Sequence, residues 1–182
     1  MTDLRTRFEL EALPHLDAAY NLARWLTRSD ADAQDVVQEA LLLAFRNFER
    51  QRGPSTKAWL LAIVRNCFLS SVRRSAPRAR VTEPLEAASD ADVPAALVSS
   101  TDPEREAIAA ESARTVDAAL GCLSNDYREV LVLRELEGLS YREIAAVTAT
   151  PIGTVMSRLA RARATFKTHW QRANTGSNDA VS

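Results

Sequence analysis

The sequence predicts an all-α protein built from two small helical domains that a flexible linker joins. Its 182 residues include only 5 glycines and 7 prolines, too few for a turn-dense β-sandwich or barrel, and residues that favour helix are abundant. Apolar residues recur at intervals of three and four over most of the chain, but this period is lost in the middle. We therefore expect a first domain at 1–75, a linker at 76–103, a second domain at 104–172 and a disordered tail at 173–182.

Capping residues divide the first domain into three helical parts. The first part covers 8–26, and the second begins after Ser29, which is a good N-cap residue. A break at 51–54 precedes the third part, for which Ser55 or Thr56 supplies the cap. Each part has one apolar side, so the three are expected to pack together as a small bundle.

The second domain contains the pattern of a helix-turn-helix. After an acidic helix comes a helix that Ser124 caps and Gly138 ends. Ser140 and Glu143 then form a capping box that opens a short helix, and a tight turn leads to a last helix that begins at Pro151. A short helix, a tight turn and a longer helix are typical of DNA-binding proteins.

The formal net charge of −1 argues against a nucleic-acid-binding protein, but the charges are segregated. Residues 1–74 and 122–182 each carry an excess of two basic residues, whereas 75–121 carries an excess of five acids. Residues 50–82 include eight basic side chains and no acid, and 150–172 include five and no acid. These two basic stretches predict contact with a polyanion, with two solvated helix faces as the alternative.

Several classes of protein are excluded. Cys67 and Cys122 are too few for a disulfide framework, and His15 and His169 lack the spacing of metal ligands. No nucleophile elbow or glycine-rich phosphate loop is present, so we expect no enzymatic activity, no metal and no cofactor. No secretory signal or stretch long enough to cross a membrane is visible, so we expect a cytoplasmic protein without membrane insertion.

Polar residues on the two basic helices suit nucleic acid. One face of the third helix of the first domain carries Asn66, Ser70, Arg73 and Arg74. One face of the last helix carries Thr154, Ser157, Arg158 and Arg161, and Arg163 can reach phosphate. Arginine pairs with phosphate and asparagine with a base edge.

Four blocks of sequence resemble bacterial RNA polymerase sigma factors of the extracytoplasmic-function (ECF) group. Asp32–Ala40 resembles the family's "DAEDLVQE", Ala58–Asn66 its "AWLxxIxRN", and Leu139–Ala145 with Pro151–Arg163 its "LSYEEIA…PxGTVxSRLxRAR". The similarity covers roughly 6–74 and 105–170, in the family's order and spacing. A lone helix-turn-helix would be weak evidence, but four blocks in order are specific.

The resemblance implies promoter DNA and core RNA polymerase, through its largest-subunit clamp coiled coil and its flap, as partners. It places the minus-ten element, read on the non-template strand, against Lys57, Arg65, Asn66, Ser70, Arg73 and Arg74. It places the minus-thirty-five duplex against Tyr141, Thr154, Ser157, Arg158, Arg161 and Arg163. It assigns clamp docking to Asp35, Gln38 and Glu39.

The resemblance also bears on the linker and on regulation. It implies that the linker runs through the polymerase active-site channel, where its acidity would mimic nucleic acid. An anti-sigma factor is the further partner that the family suggests. Two departures affect promoter preference, because Met156 stands where many members have a basic residue and Gln51 where aromatics are common.

Two other interpretations stay open on the sequence alone. One is a stand-alone helix-turn-helix regulator whose first domain mediates dimerisation. The other is a sigma-like decoy that sequesters an anti-sigma protein. The surface at Gln38 and Glu39 and the basic helix at 59–74 argue against the regulator, and Arg158 and Arg161 argue against the decoy.

Overall fold

The computed structural model describes residues 3–51, 53, 55–75 and 103–178. Every regular element in these ranges is helical, which confirms the all-α prediction. The linker predicted at 76–103 lies outside the described residues except for Pro103, where a helix begins. We call residues 3–75 the N-terminal half and 103–178 the C-terminal half.

The N-terminal half is a bundle of four α-helices. Its elements are α1 (Leu4–Glu11), a 3₁₀ turn (Leu13–His15), α2 (Leu16–Thr27), α3 (Asp30–Asn47), a 3₁₀ turn (Phe48–Arg50) and α4 (Thr56–Ser75). The helices α2, α3 and α4 pack on one another around fully buried Leu22, Leu60 and Val64. Ser29 caps α3 by accepting the Asp32 backbone N–H at 3.3 Å, as its position after α2 predicted.

The C-terminal half contains the helix-turn-helix. Its elements are α5 (Pro103–Gly121), α6 (Asn125–Leu131), a π-helical segment (Val132–Leu136), α7 (Tyr141–Thr148) and α8 (Ile152–Asn178). The Ser140–Glu143 capping box is present at the start of α7. Ala149 makes the turn into α8 in a left-handed conformation with φ of 51°, a region that usually favours glycine.

Two predicted helix boundaries are corrected by the structure. The helix predicted from Ser124 to Gly138 becomes a short α-helix followed by the π-helical segment, although Gly138 does end it with φ of +68°. The last helix continues to Asn178, beyond the predicted tail boundary at 173. Propagating a formed helix adds one hydrogen bond per residue, so a helix can continue without an apolar period.

The two halves pack against each other. Helix α4 lies against α7, and α2 lies against α6 and the π-helical segment. Buried apolar residues of both halves belong to one continuous cluster, which includes Leu61 and Ile144. None of the helices in the described part of the chain combines the length and apolar character that a membrane crossing needs.

Candidate nucleic-acid and polymerase interfaces

The outer face of α4 presents the polar residues that the sequence placed there. Asn66, Ser70, Arg73 and Arg74 are all exposed. The Ser70 hydroxyl donates to the Asn66 backbone carbonyl at 2.8 Å, which leaves its oxygen able to accept from a ligand. The Arg74 guanidinium contacts the Glu39 carboxylate on α3 at 3.0 Å, so this face adjoins the predicted docking surface.

Lys57 and Arg65, also on α4, face the C-terminal half instead. The Lys57 Nζ lies 2.9 Å from the Glu137 carboxylate and donates to the Glu137 backbone carbonyl at 2.8 Å. The Arg65 Nε lies 2.6 Å from the Glu129 carboxylate. Both carboxylate side chains are only 5% exposed, so the structure separates these two cations from the rest of the predicted DNA face.

Burial dominates the electrostatics of this contact. It raises the pKa of Glu129 above its usual value, because a desolvated carboxylate is less stable. The Arg65 guanidinium opposes this by lowering the pKa of Glu129 through its charge and hydrogen bond. The ionised Arg65 guanidinium therefore stabilises the Glu129 carboxylate, whose buried charge would be energetically unfavourable without this partner.

Arg128 holds the adjoining chain segments together. Its guanidinium donates to the backbone carbonyls of Leu120, Gly121 and Leu123 at 2.8–3.0 Å, and to that of Trp25 in the N-terminal half at 3.4 Å. Burial is the main cause that lowers the pKa of Arg128. This arginine satisfies the carbonyls at the end of α5, which would otherwise lack intrahelical partners.

The sequence pattern did not reveal a role for Arg128, Glu129 and Glu137. All three are buried charged residues. The one available signal is that Arg128 and Glu129 directly precede the apolar run Val130–Leu133, where charged side chains are rarely buried without a partner. The partners of Glu129 and Glu137 are more than sixty residues away in sequence, so no local pattern reveals them.

The polar face of α8 is accessible over its first turns. Ser157 and Arg161 are exposed, and Thr154 is half-buried. The Ser157 hydroxyl donates to the Thr154 carbonyl at 3.0 Å. Arg158 contacts the Asp126 carboxylate at 2.8 Å within the same half. Met156, the departure from the family pattern, is 52% exposed on the same helix.

Tyr141 and Arg163 are engaged in contacts of their own. The Arg163 guanidinium bonds the Glu135 carboxylate at 2.6 Å, and both side chains are about half exposed. The Arg134 guanidinium lies 5.0 Å from the Tyr141 ring centroid, which is a cation–π distance. Both residues lie within the helix-turn-helix, with partners that a DNA contact would have to replace.

The predicted docking residues form a patch on α3. Asp35 and Gln38 are exposed, and the Glu39 side chain is 42% exposed. Leu42 follows at helical spacing on the same side and is 62% exposed. The sequence pattern did not single out this leucine.

The chain resembles known proteins over both of its halves. The family model described as Sigma-70 region 2 matches residues 13–78, and that described as Sigma-70, region 4 matches residues 113–166. The ECF RNA polymerase sigma-E factor of Haemophilus influenzae is 38% identical over 146 residues, which cover 78% of this chain and 75% of that protein. The ECF RNA polymerase sigma factor SigE of Mycolicibacterium smegmatis is 38% identical over 152 residues, which cover 82% of this chain but only 56% of the relative.

A solved structure supports the same relationship. The sigma factor RpoE of Bartonella quintana, in complex with the anti-sigma factor NepR, superposes with a TM-score of 0.75 at 30% identity, covering 90% of this chain and 96% of that one. The matched regions coincide with the blocks in which the sequence resembled the family. Both halves are therefore accounted for, and the chain belongs to the ECF sigma factors of bacterial RNA polymerase.

Proposed function

We propose that this chain binds core RNA polymerase and directs it to promoters, with α8 reading the minus-thirty-five duplex and α4 capturing the minus-ten non-template strand. The observation that carries the proposal is the pair of acid-free basic helices on separate halves of an ECF sigma factor. The protein supplies recognition and strand separation, while the polymerase performs the chemistry. The proposed site of action is the cytoplasm, where the polymerase transcribes the chromosome.

The accessible turns of α8 support duplex recognition. The major groove admits one α-helix, and a recognition helix presents its N-terminal turns to base edges. Ser157 and Arg161 lie on one exposed side of these turns, and Thr154 and Arg158 flank them. An arginine that forms two hydrogen bonds to guanine contributes about 1–3 kcal/mol of discrimination, so Arg161 is the side chain for which we expect the largest loss.

The outer face of α4 supports capture of a single strand. An unstacked base needs hydrogen bonds that replace its lost pairing, and Asn66 offers both donors and an acceptor. Arg73 and Arg74 lie about two turns further along and can neutralise phosphates. Lys57 and Arg65 join this set in our proposal once the halves separate.

The patch at Asp35, Gln38, Glu39 and Leu42 is the proposed contact with the clamp coiled coil. It combines carboxylates with an exposed apolar side chain, and such a combination gives both orientation and buried area. The contact between Glu39 and Arg74 supports this arrangement, because it joins the patch to the outer face of α4. Docking would therefore position α4 next to the melted strand.

The remaining partners follow from relatives rather than from side chains. The Bartonella quintana sigma factor was solved with an anti-sigma factor, and we propose a protein of that class as a regulator of this chain. The flap contact, the course of the linker through the polymerase and the limits of the two domains also stay proposals. The stand-alone regulator is disfavoured because it has no need of a region 2 domain.

Transcription in vitro tests the proposal directly. Core polymerase with the full chain should produce transcripts from specific sites of a genomic fragment library, and Asn66→Ala and Arg161→Ala should each reduce them about five-fold or more, since a lost base contact is worth about 1–3 kcal/mol. Arg172→Ala is the matched control, because it removes an exposed arginine eleven residues further along α8. Transcript levels no higher than with core alone would favour the regulator or the decoy.

Co-purification with core polymerase tests the docking patch separately. Asp35→Arg should weaken retention of the chain on immobilised polymerase, because it reverses a charge in the patch. Asp17→Arg on α2 makes the same change at another exposed acid and should leave retention intact. Equal retention of both variants would remove Asp35 from the docking surface.

A further inference from the structure

Two cations that our proposed function assigns to single-stranded DNA are occupied by carboxylates of the chain's own C-terminal half. Lys57 meets Glu137 at 2.9 Å and Arg65 meets Glu129 at 2.6 Å. These distances are typical of charge-assisted hydrogen bonds, such as those between these side chains and phosphate. Each glutamate therefore stands where a phosphate oxygen would be bound.

Two ion pairs lie within a contact that also buries apolar residues of both halves, at positions where apolar side chains are often equally or more stabilising. A buried ion pair contributes little net stability, because desolvation offsets the attraction between the charges. Lys57 and Arg65 keep 28% and 15% of their side-chain exposure, whereas both glutamates keep 5%. If the halves separate, all four charges regain water, so these two pairs oppose opening less than apolar side chains at the same positions would.

The contact between the halves covers only part of the proposed DNA-binding residues. Helix α7 faces α4, while the exposed residues Ser157 and Arg161 of α8 face solvent. Asn66 and Arg73 on the outer face of α4 are likewise exposed. The closed arrangement thus withholds the two cations at the inner side of α4 without covering the outer face or the recognition helix.

We propose that the C-terminal half acts as an intramolecular competitor of DNA, in which Glu129 and Glu137 mimic backbone phosphates and hold Lys57 and Arg65 until the halves separate. The inference rests on the proposed assignment of α4 to single-stranded DNA. The chain on its own is then self-inhibited for strand capture. Any partner that draws the halves apart releases the two cations together.

Binding of a labelled oligothymidylate of about 20 nucleotides to the full chain without polymerase tests the competition. Glu129→Gln/Glu137→Gln keeps the shape and hydrogen-bonding capacity of both side chains but removes the charges that mimic phosphate. It should tighten binding about ten-fold, the factor by which a closed population of about 90% weakens apparent affinity. Adding Lys57→Gln/Arg65→Gln to this variant should abolish the gain.

The matched control is Glu9→Gln/Glu11→Gln, which makes the same change in net charge at two exposed acids of α1. Equal tightening by the control would show a general effect of charge and overturn the proposal. Small-angle scattering should show a larger radius of gyration for Glu129→Gln/Glu137→Gln than for the wild type. An unchanged radius with unchanged affinity would also overturn the proposal.

A charge swap keeps the test decisive if the double glutamine variant fails to fold. Glu137→Lys should expand the chain by placing two cations together, and Lys57→Glu/Glu137→Lys should restore the compact radius. Failure of the swap to restore it would overturn the ion-pair mechanism. Promoter melting by Lys57→Gln/Arg65→Gln with polymerase tests the proposed function alone. The proposed function and the intramolecular competition can therefore fail independently.

Discussion

The two basic helices α4 and α8 have the same charge pattern in sequence but different electrostatic environments in the fold. The cations Lys57 and Arg65 of α4 pair with nearly buried carboxylates of the opposite half. The cations Arg158 and Arg163 of α8 pair with exposed carboxylates of their own half, where Asp126 is 57% and Glu135 49% exposed. An acid-free basic run therefore indicates a binding helix without indicating whether its cations are available.

This difference has an energetic meaning. Exposed pairs such as those of α8 contribute about 0–1 kcal/mol and exchange readily with a phosphate. Removing one member of a buried pair leaves an uncompensated charge and costs about 3–5 kcal/mol. Arg158 and Arg163 of α8 are thus easily released from their partners, whereas Lys57 and Arg65 of α4 are tied to the contact between the halves.

Removing one arginine from each helix should give the largest contrast. Arg65→Ala should lower the free energy of unfolding by about 3 kcal/mol at about pH 7, because it leaves the Glu129 carboxylate unpaired. Arg161→Ala, at an exposed position, should change it by less than about 0.5 kcal/mol. Urea unfolding of both variants measures the difference.

The pH dependence of this contrast provides its internal control. Arg65 lowers the pKa of Glu129 while burial raises it, so without Arg65 the folded-state pKa rises further. A raised carboxyl pKa costs stability when pH is above the folded value, and the cost disappears below the unfolded value. The effect of Arg65→Ala should therefore shrink as pH falls, and a constant effect would contradict the buried pair.

The two ends of α7, the helix that faces α4, offer a second and smaller contrast. Gly138 precedes α7 with φ of +68°, and Ala149 follows it with φ of 51°. An L-residue in this region costs about 1–2 kcal/mol, so Gly138→Ala should destabilise the chain by about 1 kcal/mol. Ala149→Gly should be neutral or stabilising by up to about 1 kcal/mol, because relief of strain outweighs the added entropy of the unfolded chain.

Thermal unfolding of these two variants is the measurement. Ala146→Gly on the exposed side of α7 is the control, since it introduces glycine where the backbone is helical and should lose about 1 kcal/mol. If Ala149→Gly destabilised the chain as much as Ala146→Gly, this result would contradict a left-handed conformation of Ala149 in the turn between α7 and α8.

Local chemistry explains which features the sequence could predict. Ser29, the Ser140–Glu143 box and Gly138 act within a few residues of their own positions, so their roles were visible and the structure confirms them. The polar side of α8 followed from helical spacing for the same reason. The family resemblance then joined these local features into one architecture, which the comparisons confirm.

Features that depend on distant residues were not predictable. The burial of Lys57 and Arg65 depends on glutamates 80 and 64 residues away, and the linker between them gives no indication that the halves meet. The left-handed Ala149 was hidden because the turn lacks a glycine. The π-helical segment leaves the spacing of charged residues around Glu135 different from that of an α-helix.

The smallest expected effect concerns the charge of Glu143 at the start of α7. Its carboxylate accepts the Ser140 backbone N–H at 2.8 Å and the Ser140 hydroxyl at 2.7 Å, and these bonds hold the pKa of Glu143 below its usual value. Lys57, across the contact between the halves, lowers it further. The charge of Glu143 thus senses both its own helix and α4.

The sign of the pH dependence follows from this lowered pKa. The stabilisation is fully present above the unfolded-state pKa and is lost as pH falls through the folded-state value. Glu143→Gln keeps an acceptor for the Ser140 N–H but has no charge, so it should lose less than about 1 kcal/mol at about pH 7, and this loss should shrink as pH falls through the folded-state pKa of Glu143. Because the Ser140 bonds are the larger cause, Lys57→Gln should reduce this pH-dependent difference only in part, and its complete loss would mean that Glu143 belongs to the contact with α4 more than to the cap of α7.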